Sequence, residues 1–98
     1  MSRVLTAEDF VSHVGKTVTP KGQHRVLTLV SIDTSGRTAG AERLARESFR
    51  LILRGPPGDV LPEGLYDVAV QDGPDFALYI NPIHTVSRDR QDYQVAFN

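Results

Sequence analysis

The spacing of hydrophobic positions changes near residue 16. Ahead of it, LTAEDFVSHVG places Phe10, Val11 and Val14 on one stripe at helical spacing. Thr6 is a good N-cap, with Asp9 three residues on as a weaker form of the capping box. Glu8 and Asp9 fall in the first turn, where the helix dipole favours negative charge, and Gly15 follows as a stop. Leu5 is placed to staple against Phe10 or a near neighbour. The pattern predicts a short helix, about two turns, lying across one end of a sheet.

Beyond residue 16 the rhythm is two. KTVTP is a short strand ended by Pro20. HRVLTLVSI sets Leu27 and Leu29 against Val26, Thr28 and Val30, and SFRLILRG sets Phe49, Leu51 and Leu53 against Arg50, Ile52 and Arg54. GLYDVAVQ groups Tyr66, Val68 and Val70, and DFALYINPI groups Phe76, Leu78 and Ile80. DYQVAF alternates Tyr93, Val95 and Phe97 with Asp92, Gln94 and Ala96. Pro62-Glu63-Gly64 suits a type II turn with glycine at positive φ, and residues 71–75 suit a tight hairpin. The expected fold is mainly β: a small antiparallel barrel or sandwich of about six strands with one short N-terminal helix. Its core is expected from Phe10, Val14, Leu27, Leu29, Phe49, Leu51, Leu53, Tyr66, Val68, Phe76, Leu78, Ile80, Val95 and Phe97.

The 98 residues make one domain, 1–98. Residues 33–48 are polar and Gly/Ser/Thr-rich at first, then helix-favouring from Ala41 to Glu47. So long a connection in a small domain is expected to be functional or mobile. Its Arg37, Arg43 and Arg46 form a local basic run with Arg50 and Arg54, diluted by Glu42 and Glu47. This run is either a solvated face or a dock for an acidic protein surface. The last strand, YQVAFN, is either an edge, where Gln94 and Ala96 would offer unpaired backbone groups, or the strand that closes the barrel. Closure is the preferred reading.

Composition removes several chemistries. There is no cysteine, hence no disulfide, thiolate metal site or cysteine nucleophile. A net charge of −1, from 11 basic and 12 acidic side chains, gives no basis for a nucleic-acid partner. No apolar run reaches signal-peptide or membrane-span length, so a soluble cytoplasmic protein without a membrane partner is expected.

RGPPGDV, residues 54–60, begins as a phosphate loop does, but Asp59, Val60, Leu61 and Pro62 stand where Gly-Lys-Ser/Thr is required. It is read as a corner between strands. His13, His24 and His84 lack metal-site spacing, with His13 expected to serve the helix C-terminus. Asp72, Asp75, Asp89 and Asp92 lack a calcium-loop frame and are read as turn residues. No serine sits in a nucleophile elbow. No cofactor is expected.

LTAEDF with HVG, LTLV, FRLILRGPPG, LPEGLY and the closing YQVAFN, in that order, resemble a bacterial family of small single domains of unknown function. Glu63 and Leu65 stand where that family leads one to expect Gln and Thr, and Gln94 and Val95 also depart from it. The resemblance covers most of the chain outside 33–48. It implies no catalytic residue, and it associates the chain with phage-tail-like particles.

The function expected is a non-enzymatic interaction or assembly module, an accessory of such a particle, with a protein partner or self-association. The alternative is a carrier or sensor of a small molecule held inside the barrel. An enzyme, the third reading, needs a cleft that sets His13, His24 or His84 against an acidic residue.

Overall fold

A computed structural model describes residues 7–33 and 49–97. Six antiparallel strands close into a barrel: β1 (Thr17–Pro20), β2 (Leu27–Asp33), β3 (Phe49–Gly55), β4 (Gly64–Val70), β5 (Asp75–Pro82) and β6 (Gln91–Phe97). Around the barrel the order is β1-β2-β3-β6-β5-β4, with β4 returning to β1. The last strand therefore lies inside the sheet, with β3 on one side and β5 on the other.

The two-residue rhythm follows from this closure. Leu27, Leu53, Val68, Ile80 and Tyr93 all point inward and are fully buried, while their chain neighbours face water or lie at the boundary. One break in the rhythm matters. Leu29 opposes Leu53, but Ser31 opposes Ile52 and Ile32 opposes Leu51, so Val30 is an extra residue on β2. The bulge turns Ser31 outward, brings Ile32 against the core and sets Asp33 opposite Arg50 on the outer wall.

α1 (Glu8–Val11) is shorter than the pattern predicts, and a different side of it is buried. Ala7 occupies the cap position without a side-chain hydrogen bond, and Thr6 lies outside the described residues. Val11 and Val14 are 60% and 44% exposed, so Val14 is not a core residue. The buried positions are Phe10 and His13. His13 packs edge-on to Phe76 at 6.3 Å rather than capping the helix, and its Nδ1 has no hydrogen-bond partner.

Phe10 closes one end of the barrel. Its ring lies 4.8 Å from Phe76, 5.6 Å from Phe97 and 6.1 Å from Phe49, and the last two stack at 4.5 Å. All four phenylalanines of the chain meet there. Leu61, from the connection between β3 and β4, is fully buried, and its N–H donates to the hydroxyl of buried Tyr93 at 2.9 Å.

The turns are built from unexpected residues. Gly64 is not at positive φ; it starts β4, where an added Cβ would lie 3.5 Å from the Tyr66 ring. In the β4–β5 hairpin the left-handed residue is Asp72, φ 54°, a conformation that Asp tolerates better than most side chains.

Candidate functional site

The phosphate-like stretch is a stapled corner. Gly58, at φ 76°, turns the chain, and Asp59 then reaches across to the β1–β2 connection. Its carboxylate accepts from Arg25 Nε at 3.0 Å and lies 2.7 Å from His24 Nε2, while Arg25 also donates to Gln23 at 2.7 Å. These contacts, His24 first, hold the Asp59 carboxyl below the usual carboxylate range. This is a histidine set against an acidic group, as an enzyme reading requires. His24 is 72% exposed, however, and its contact ties two surface loops rather than lining a cleft. Among the described residues no group of three or more His, Cys, Asp or Glu converges as a metal site.

Arg50 and Arg54 stand on the outer wall, as their alternation predicts, but both are engaged. Arg50 pairs with Asp33 at 2.8 Å and donates to Gln94 Oε1 at 3.0 Å. Arg54 grips Asp92 through Nε at 2.8 Å, and Arg90 reaches the same carboxylate at 3.3 Å. These pairs make a neutralised ladder across β2, β3 and β6. Arg37, Arg43 and Arg46 lie outside the described residues. Gln94 is engaged with Arg50 and paired with Asn81, whereas Ala96 is exposed.

The Arg54–Asp92 contact predicts an acid dependence. Arg54 first, then Arg90, hold the Asp92 carboxyl below its ordinary value. A lowered native pKa means that the folded state prefers the carboxylate more than the unfolded state does. The resulting stability is present above the unfolded value of about 3.9 and disappears as pH falls through the native one. Urea midpoints should therefore drop on acidification below about pH 5, and Arg54→Met should flatten that drop. An unchanged pH slope in the variant would remove Arg54 from the account.

Next to this ladder, between β6 and β5, the strand register is incomplete. Val70 N–H donates to the Pro74 carbonyl at 3.3 Å, and the same phase continues through the Val68↔Phe76, Tyr66↔Leu78 and Gly64↔Ile80 pairs. The even-numbered residues of β5 thus serve β4, and its odd-numbered residues turn their backbone groups toward β6. There Ile83 N–H donates to the Asp92 carbonyl at 3.1 Å, and Asn81↔Gln94 and Pro82↔Tyr93 pair. Thr85 and Gln91 stitch this end further, Thr85 Oγ1 accepting from Asp92 N–H at 2.9 Å and Gln91 Nε2 donating to the Ile83 carbonyl at 3.0 Å. Past Gln94 no register joins the two strands among the described residues, although β3 and β6 stay paired up to Phe49↔Phe97. The seam parts where Phe10 sits between Phe76 and Phe97.

Beside this seam Leu65 and Tyr79 oppose each other across β4 and β5 on the outer wall, 69% and 48% exposed. The Tyr79 hydroxyl donates to Glu63 at 2.6 Å, and the carboxylate there raises the phenol above its usual range. Asp67 lies one outward position further along β4, opposite Ala77. No lysine or arginine occurs from Gly55 to Ser87, a stretch that contains Asp59, Glu63, Asp67, Asp72 and Asp75. That charge asymmetry is present in the sequence itself, though the net charge of the whole chain hides it.

No helix among the described residues is long and apolar enough to cross a membrane. The chain matches no curated protein and no solved structure. Residues 5–97 match DUF6916, a domain of unknown function, and the chain belongs to that family.

Proposed function

We propose that the chain is a non-enzymatic interaction module that docks through the β4–β5 wall and the β5–β6 seam. The supporting observation is the incomplete seam: among the described residues the β5–β6 register stops at Gln94 while both strands continue, and this stretch lies beside exposed apolar side chains. The exposed Leu65–Tyr79 pair beside it supplies apolar area for a contact. Side chains occupy the barrel axis, with Phe10 and Leu61 closing its ends, which favours the outer wall over a ligand site inside. The assembly to test first is the bacterial phage-tail-like particle that the sequence resemblance implies.

In lysate of the native host, the tagged protein should sediment with a large assembly, while the Leu65→Lys/Tyr79→Lys variant should stay at the position of the free chain. Wild-type protein that remains at the free position would overturn the reading. Equal sedimentation of both proteins would move the interface off this wall.

A further inference from the structure

We infer that the seam accepts an extended, basic peptide segment, which adds as a strand to the free edge of β5; this rests on the interaction reading above. The backbone phase determines which groups are offered. Odd-numbered residues of β5 face β6, so Tyr79 turns its N–H and C=O groups toward Ala96, and Ala77 turns its own the same way, toward residue 98, which lies outside the described residues. Across it Ala96 continues the phase of Asp92 and Gln94 and presents its own. All three residues are solvent-exposed and carry outward side chains. A row of main-chain donors and acceptors spaced along one strand is met by another strand, because only an extended backbone repeats its groups at the same interval.

The side chains around the edge select the kind of strand. Leu65 and Tyr79 offer an apolar strip to every second residue of an added segment, and its basic residues would meet Glu63 and Asp67. Lys21, at the end of β1 beside β4, is held on Asp75 at 2.6 Å. The arginines of β3 stand next to the seam, Arg50 directly opposite Ala96, but Asp33 and Asp92 hold them in ion pairs that neutralise their charge. A second copy of the chain fits less well, because a two-fold contact through β5 would face this acidic wall with itself.

The probe is an end-capped peptide of about eight residues alternating lysine and valine, compared with its glutamate–valine counterpart and with a lysine–valine peptide N-methylated at alternate amides. Fluorescence anisotropy and amide-resolved NMR on the full chain would read binding. The lysine peptide should bind about ten-fold or more tighter than either control, and Asp67→Lys should remove most of that preference. It should also slow hydrogen exchange at Ala77, Tyr79 and Ala96.

Three results would each overturn the inference. The N-methylated peptide could bind as well as the parent, which would mean that no backbone pairing is made. The three amides could already be protected in the free monomer, which would mean that the edge is satisfied within the chain. Their protection could instead rise with protein concentration alone, which would assign the edge to a second copy. Peptide binding without any assembly in the native lysate would leave the strand-accepting edge standing and sink the assembly reading, so the two failures are distinguishable.

Discussion

Phe10→Ala should cost about 3–5 kcal/mol of folding stability, the range for removing a buried aromatic ring. A domain of this size has only about 5–15 kcal/mol in total, and each kcal/mol shifts its melting midpoint by about 4–8 °C. The cost is at the high end for a mechanical reason. Phe10 is 1% exposed and touches three rings on three strands, β3, β5 and β6. The helix that carries it has four residues and no side-chain cap, so it cannot hold a shifted position by itself. Val14→Ala is the control, expected within about 0.5 kcal/mol, because that side chain is 44% exposed. Urea melts of the two variants check both values. A loss at Val14 matching the loss at Phe10 would mean that the helix packs by the stripe its spacing suggests.

The contrast between Phe10 and Val14 shows which parts of the fold were legible. Six strands could be read because each inward residue repeats every second position over a long run, as in Phe49, Leu51 and Leu53. The same rule placed Arg50 and Arg54 on the outer wall. A four-residue helix offers no such run. Three apolar side chains near it satisfied a helical stripe by coincidence, and tertiary packing selected Phe10 with His13 instead. The bulge at Val30 was equally hidden, since Ser31 and Ile32 exchange faces only when β3 sets the register.

The candidate site was legible only in its residue types. Arginines on an outer face can be read from alternation; that Asp33 and Asp92 neutralise them depends on pairing between strands far apart in sequence. The C-terminal strand closes the barrel between β3 and β5, the preferred of its two readings, but its register to β5 is short. It is bonded to β5 through Gln94 and parted from it at Ala96. No local signal encodes that change, because the wedge that accompanies it comes from residue 10. The acidic bias of 55–87, by contrast, needed only a local charge count.

Leu61 and Tyr93 carry the second large effect, and both were missed as core residues. Leu61 sits between two prolines in a loop, where periodicity assigns no face, yet it is fully buried. Tyr93 lies inward in β6, and its hydroxyl is fixed by the Leu61 N–H. Gly55 shares this end of the barrel, where an added Cβ would come within 2.7 Å of Leu27 and 3.5 Å of the Tyr93 ring. Leu61→Ala should lose about 2–5 kcal/mol, from transfer and an unfilled cavity. Tyr93→Phe keeps the ring and strands a buried N–H donor, at a cost of about 1–3 kcal/mol. The double variant should lose less than the sum of the two, by about 0.5 kcal/mol or more. The reason is that a loop already loosened by Leu61→Ala can turn its N–H to water. Strict additivity in urea melts would mean that the two residues act independently and that the hydrogen bond does not hold the plug. The GPPGDVLPE corner would then owe its place to Asp59 gripping Arg25 and His24 alone.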